Sequence, residues 1–351
     1  MTAQRVFVRA PNWVGDLVMA TSAFARIRAA FPDAHVVGAL RPYLRTLLDG
    51  TSWFDALWDS PKAGSAAGLW RQASEVRRGR FDLAIVLPNS LESALVPFLA
   101  GVPRRAGYRQ GRPGLLNVGL RAAAGRPWWS RRGPRRIPEP MPAYYDALLD
   151  RLELPPGPGR TQLTVTRAEQ AECDAWFAAR GVAPEQPVLA INAGASYGGS
   201  KLWDPMRFAA VARRFQEARG GRAVLLAGPA EVELVRAIAR DAGALAAIDP
   251  VLPVGMTKPM VARAEALLTT DSGPRHIAVA LGVPVVCLIG PTDRRYTDYA
   301  LERQEVLRRD LDCSPCQRKE CPLGHHRCMT EIEVDTVWAA LERLLAAERR
   351  P

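Results

Sequence analysis

The sequence holds no run of the roughly 20 uninterrupted apolar residues that a bilayer-spanning helix needs. The longest candidate, Ile277 to Ile289, is cut by Gly282 and Pro284, and reads as helix, turn and buried strand. The apolar run near the start, Val6-Phe7-Val8, is too short for a signal peptide. These two absences predict a cytoplasmic protein. The Gly-x-x-x-x-Gly-Lys-Ser/Thr spacing of a P-loop is missing, as is any recognised DNA- or RNA-binding motif. Lysine is nearly absent: Lys62, Lys201, Lys258 and Lys319 are four among 47 basic residues, so arginine carries most of the net charge of +11. A basic surface favours anionic partners, whether nucleic acid, phosphorylated lipid or a membrane face. What remains is an ordinary globular balance, 48% hydrophobic and 24% charged, in 351 residues. That suffices for two domains with buried cores.

The pattern along the chain is α/β. Strands are predicted at Arg5 to Arg9, His35 to Ala39, Ala56 to Trp58 and Phe81 to Leu87, separated by helical patterns at Gly15 to Ala30, Arg41 to Leu48, Gly68 to Arg78 and Ser90 to Ala100. Val102 to Arg136, rich in Gly, Pro and Arg, reads as loops with short strands. Clustered Pro and Gly in Leu154 to Arg160 mark a linker. The rhythm then restarts. Strands follow at Val188 to Asn192, Ala223 to Ala227, Ala266 to Thr269 and Val285 to Ile289, and helices at Pro205 to Ala218, Ala230 to Arg240, Ser272 to Leu281 and Val334 to Glu348. Alternating strands and helices indicate parallel sheets. The reading is two doubly wound domains, residues 1–160 and 161–330, with a terminal helical segment, 331–351, that packs back on the N-terminal domain.

Ligands of open α/β sheets sit at the carboxyl ends of the strands, so chemistry is sought at strand-to-helix junctions. The first is Asn12-Trp13-Val14-Gly15-Asp16. A carboxylate at a helix start stays ionised and can accept a proton from an incoming hydroxyl; it can equally be a plain helix cap. The second, Asn192 to Trp203, is a small-residue loop ending in Lys201, suited to phosphate oxygens or to a flexible solvated loop. The third is Asp271-Ser272-Gly273-Pro274-Arg275-His276, where a helix N-terminus offers backbone N–H groups to an anion.

Two further features stand apart. Cys313, Cys316, Cys321 and Cys328 crowd into one stretch with His325 and His326. They read either as ligands of a structural zinc or as a thiol-rich loop without metal. An arginine field (Arg104, Arg105, Arg109, Arg112, Arg121, Arg126, Arg131, Arg132, Arg135, Arg136), interleaved with Tyr108, Trp128 and Trp129, suits phosphates of a nucleic acid or of a lipid head group.

Four pieces in order, Pro11 to Asp16, Leu87-Pro88-Asn89-Ser90, Lys201-Leu202-Trp203, and Asp271-Ser272-Gly273-x-x-His276 followed by Gly290-Pro291-Thr292, resemble the bacterial heptosyltransferases of glycosyltransferase family 9. The resemblance covers nearly the whole chain. It implies a GT-B architecture, two Rossmann-like domains facing across a cleft, with the acceptor bound by the first and the donor nucleotide by the second. It implies an inverting, metal-independent sugar transfer in which heptose moves from ADP-heptose to a phosphorylated lipid A–core acceptor, the inner core of lipopolysaccharide. Asp16 matches the general base. Lys201, Asp271, Ser272, Gly273 and His276 match donor-binding positions, Glu231 the ribose contact and Met256 the adenine neighbour. Asn12, Trp13, Asn89, Ser90 and Arg109 fall to the acceptor. No cofactor is implied for catalysis, and no nucleic acid partner; peripheral contact with the inner membrane face is. Ala242 to Arg263 departs from the family pattern, because its strand and helix are weakly written. The alternatives are another sugar-nucleotide enzyme on this fold, such as an epimerase, and a basic nucleic-acid-binding protein.

Overall fold

The computed structural model describes residues 3–125 and 136–347. Arg126, Trp128, Trp129, Arg131, Arg132 and Arg135 of the arginine field, and Glu348, lie outside the described residues. The chain divides into two compact units. The first runs to Gln162 and includes Arg295–Thr297; the second is Leu163–Arg294 and Asp298 onward.

The first unit carries β1 (Arg5–Arg9), α1 (Val14–Met19), α2 (Thr21–Ala30), β2 (His35–Leu40), β3 (Ala56–Asp59), α3 (Ala66–Arg78), β4 (Leu83–Val86), α4 (Leu91–Leu99), β5 (Arg104–Gly107) and α5 (Met141–Arg151). Its sheet is parallel, in the order β3-β2-β1-β4-β5. Val6, Val8 and all of Leu83 to Val86 are buried. Helices covering both faces require such continuous apolar runs rather than alternation.

The second unit carries α6 (Arg167–Ala178), β6 (Val188–Asn192), α7 (Pro205–Arg219), β7 (Arg222–Leu225), α8 (Val232–Ala242), β8 (Leu245–Ala246), α9 (Thr257–Ala262), β9 (Ala266–Thr270), α10 (Gly273–Leu281), β10 (Val285–Leu288), β11 (Gln304–Leu307), α11 (Arg327–Thr330) and α12 (Val334–Ala347). The sheet order is β11-β10-β9-β6-β7-β8, again parallel. Counted from the first strand of this unit, that is 3-2-1-4-5-6, the dinucleotide-binding order. The order reverses between β6 and β9 here, and between β1 and β4 in the first unit. The loops that carry Asp16, Asn89, Lys201 and Asp271 are therefore the loops beside the two switch points.

Three expectations are corrected. The helix over Gly15 to Ala30 breaks at Ala20 into α1 and α2, where Thr21 turns its hydroxyl onto the Val18 carbonyl. Pro42–Leu48 is a 3-10 helix started by Pro42, not an α-helix. The stretch after Val102, read as loops with short strands, supplies the four-residue β5. The last helix packs within the second unit: α12 lies on α7 and β9 to β11, and Val337, Trp338, Leu341 and Leu345 fill that unit's core beside Phe208 and Phe215. Its apolar face repeats at helical spacing, and the partner that buries it is its own sheet.

Candidate active site

In the second unit, β6 and β9 lie side by side, so the loops that follow them are neighbours. Lys201 ends a 3-10 turn (Gly199–Lys201) and is 8% exposed. Its Nζ donates to the Asp271 carbonyl at 2.6 Å and to Asp271 Oδ2 at 2.9 Å. Arg275, fully buried one turn into α10, reaches Asp271 Oδ1 at 3.1 Å, and Thr292 Oγ1 donates to Oδ2 at 2.8 Å. Burial alone would raise the Asp271 carboxyl. The Lys201 and Arg275 charges outweigh it and hold the group below the usual carboxylate range. Two buried cations thus converge on one carboxylate, and the Lys201 ammonium also lies 5.0 Å from the centre of the Tyr197 ring.

Ser272 caps nothing. Its hydroxyl turns to Asn192 Nδ2 and Thr269 Oγ1, each at 3.0 Å, and makes no cap bond to the backbone of α10. Glu231 sits in the same loop cluster. Its Oε2 accepts from the Gly228 N–H at 2.8 Å, and its carboxylate lies over Gly194, where an added Cβ would stand 1.9 Å from Oε1. Met256 does not join them. It is 4% exposed in a core cluster with Phe177 and Val261, and offers almost no surface to a base.

His276 is buried, with its ring stacked parallel to Tyr299 and Nδ1 2.9 Å from the Tyr299 hydroxyl. Burial, and then the Arg275 charge, push its pKa down to about 3. The ring is neutral at physiological pH, so it contributes a dipole rather than a cation. Affinity for an ADP-sugar, whose phosphates carry no ionisation near neutrality, is therefore expected to be flat from pH 5.5 to 8 in calorimetric titrations. Free ADP would blur the test, because a terminal phosphate titrates near ~6. Binding that tightens severalfold as pH falls through 6.5 would show that the imidazole charges in the site.

The cysteine loop braces this cluster. Ser200 N–H and Oγ donate to the Lys319 and Arg318 carbonyls at 2.9 and 2.5 Å, Tyr197 to Gln317 at 2.8 Å, Gln317 N–H to Pro291 at 2.8 Å and Ser314 to Gly290 at 2.7 Å. The segment is laced to both loops that position Lys201 and Thr292. Cys313, Cys316, Cys321 and Cys328 are free thiols that line one pocket with His325. Among the described residues no three His, Cys, Asp or Glu groups are placed to hold a metal ion.

In the first unit, Asp16 is the third residue of α1, half-buried at the carboxyl end of β1. The deeply buried Tyr145 and the half-exposed Tyr43 both feel its charge. Trp13 is 63% exposed, and Asn12 Oδ1 accepts from Arg9 at 2.8 Å. Asn89 is held by structure: it donates to the Tyr144 hydroxyl at 3.0 Å and accepts from Arg112 at 3.2 Å. Ser90 is the N-cap of α4. Arg112 is buried against the Pro88 and Ser90 carbonyls, and Arg105 holds the Leu115 and Val102 carbonyls, so these two arginines are internal ties and not phosphate contacts. Arg109 and Arg121 are exposed. Sequence reasoning gave no role to Arg275, Tyr299, Tyr43 or Arg41. The position of Arg275 one turn below Asp271 was the one available signal.

Residues 69–327 match glycosyltransferase family 9 (heptosyltransferase). Lipopolysaccharide heptosyltransferase 2 of Escherichia coli strain K12 is 28% identical over 357 residues, covering 98% of this chain and 99% of that protein. The solved structure of E. coli ADP-heptose LPS heptosyltransferase II aligns with a TM-score of 0.80 at 25% identity, over 99% of this chain and 100% of that one. A family 9 glycosyl transferase from Veillonella parvula DSM 2008 aligns with a TM-score of 0.84 at 22% identity, over 98% of both chains, and shows the shared fold. Two Rossmann-like units, sequence likeness along nearly the whole chain, and a family match that takes in Lys201 and Asp271 lead to one conclusion: the chain belongs to glycosyltransferase family 9, the heptosyltransferases, and is a glycosyltransferase of GT-B type.

Proposed function

We propose that this glycosyltransferase moves heptose from ADP-heptose to the inner core of lipopolysaccharide, on an acceptor of the heptosyl-Kdo-lipid A type. The observation that carries the reading is the Lys201–Asp271–Arg275 cluster under the open N-terminus of α10, beside the switch point of a dinucleotide-order sheet. That arrangement supports a diphosphate as its ligand. The full-length likeness to a protein named lipopolysaccharide heptosyltransferase 2 supports the donor and acceptor.

Asp16 takes the proton of the acceptor hydroxyl as that oxygen attacks the anomeric carbon from the face opposite the nucleotide, which inverts configuration. Free aspartate titrates near ~4, so a carboxylate is a weak base at neutral pH. It serves when proton transfer is late and the hydroxyl is held in line. As the glycosidic bond breaks, charge grows on ADP. The Lys201 ammonium and the backbone N–H groups at Gly273 meet it, with the neutral His276 adding a dipole. No metal ion enters this scheme. No helix among the described residues is long and apolar enough to cross a membrane. A lipid acceptor and a net charge of +11 fit an enzyme working peripherally on the anionic inner face of the cytoplasmic membrane, with no nucleic acid partner.

The deciding experiment measures ADP release from ADP-heptose with a panel of truncated lipid A–core acceptors. Release that depends on an acceptor already carrying heptose is the expected result. No turnover with any acceptor sinks the assignment, and donor conversion without acceptor points to an epimerase.

A further inference from the structure

β1 is flanked by β2 and β4, so the segments that leave these three strands share one edge of the first unit. They bring together two arginines and an exposed apolar rim. Arg9, the last residue of β1, is 3% exposed. Its guanidinium bonds the Ala10 and Ala39 carbonyls at 2.9 and 3.0 Å and the Asn12 amide oxygen, all neutral acceptors. Arg41, just after β2, bonds the Ser60 carbonyl at 2.9 Å and lies 3.6 Å from Glu92 of α4. Burial, and then the Arg41 charge, push Arg9 down to about 10. Glu92 offsets part of this from 3.6 Å off Arg41, one carboxylate for two guanidinium groups, so the pair still gains from a further anion.

The rim is apolar where the arginines are not. Trp13, Tyr43 and Leu91 are 63%, 52% and 58% exposed and belong to the three neighbouring segments. The Tyr43 hydroxyl donates to the Asn12 carbonyl at 2.6 Å, which fixes that ring next to the loop leading to Asp16. Large exposed aromatics at a strand edge mark a binding surface, and an aromatic face packs the C–H face of a sugar while its hydroxyls stay wet.

We propose that Arg41 and Tyr43, with Trp13, form the acceptor subsite: a sugar ring lies on Trp13 and Tyr43, and an anionic substituent of that glycan is paired by Arg41 and backed by Arg9. The occupant is a glycan bearing a carboxylate or a phosphate, and its pairing sets the acceptor hydroxyl beside Asp16. The inference rests on the transferase reading above. It shifts acceptor recognition from Asn89, which Arg112 and Tyr144 hold, to the β2 side of the sheet.

The test compares wild type, Arg41→Gln, Arg41→Lys and Trp13→Ala on three acceptors: the intact anionic glycolipid, the same glycolipid with its phosphates removed, and one with its carboxyls amidated. Arg41→Gln is expected to raise the acceptor KM on the order of tenfold, with donor Kd unchanged and partial recovery in Arg41→Lys. On whichever stripped acceptor has lost the paired group, wild type falls to the level of Arg41→Gln, which tells carboxylate from phosphate. Trp13→Ala, an exposed side chain without a capping bond, is expected to raise KM on all three acceptors alike. A wild-type acceptor KM in Arg41→Gln, an equal loss on all three acceptors in that variant, or no change in Trp13→Ala overturns the subsite. Where wild type transfers nothing to any acceptor, the failure belongs to the donor and acceptor assignment, and calorimetric binding of the same glycans to the same variants decides the subsite.

Discussion

Asp16→Asn is expected to lower kcat on the order of 10³-fold while leaving the donor dissociation constant within about twofold of wild type. The substitution keeps the shape of the side chain and removes its charge and its capacity to take a proton. Asp16 lies in the first turn of α1, where backbone dipoles favour the charged form. A neutral amide there costs the fold little, so melting should stay close to wild type. The side chains proposed to hold the donor, Lys201, Asp271 and Glu231, belong to the second unit, which has its own core, which is why donor affinity is the internal control. Single-turnover transfer and direct donor titration on one preparation decide the matter. If Asp16→Asn retains a tenth or more of wild-type kcat, Asp16 is a helix-start residue and another group takes the proton.

The sheet strands were legible because they are buried on both faces. β1, β6, β9 and β10 are short, nearly unbroken apolar runs bounded by polar or Gly/Pro residues, and their ends fall within a residue or so of the sequence reading. What escaped lacks that signature. The bounds of β5, Arg-Arg-Ala-Gly in a stretch read only as loops with short strands, are set by the ladder that β4 offers at the sheet edge. β8 has two residues. α6 was missed although its start was written plainly: Thr166 and Glu169 form a capping box.

The site divides in the same way. Lys201, Asp271 and Glu231 stand at strand ends, and the topology brings them together as their motifs suggested. The electrostatics did not show in the motif. His276 reads from sequence as a donor-binding position, and its neutral state follows only from its burial beside Tyr299 and Arg275. Met256 looked like an adenine contact because a flexible apolar side chain suits a base equally in a cleft or in a core, and only packing separates the two. Asn89 shows the opposite case, a polar loop residue whose partners, Arg112 and Tyr144, lie 23 and 55 residues away.

Asp271→Asn is expected to be the most destabilising single change in the donor half. The carboxylate is the shared partner of Lys201 and Arg275, both nearly inaccessible to water. Removing one member of a buried charge cluster typically costs about 3–5 kcal/mol, because the charge left behind is desolvated and unmet. That corresponds to a fall on the order of 10 °C in the melting of the second unit. The sign with pH is fixed by the lowered carboxyl. A group whose folded pKa lies below its unfolded value stabilises fully above the unfolded value, and loses that contribution as pH falls through the folded one. The gap between wild type and Asp271→Asn should therefore be full at neutral pH and narrow only under strongly acidic conditions. A second substitution separates stability from binding. Lys201→Met in the Asp271→Asn background removes one stranded charge and should restore part of the lost melting temperature. It cannot restore donor affinity, because the ammonium that meets the diphosphate is gone. If Asp271→Asn melts within 2 °C of wild type, the cluster is not a stabilising one. If the double variant binds ADP-sugar as wild type does, Lys201 has no part in holding the diphosphate, and the grip belongs to the N-terminus of α10 alone.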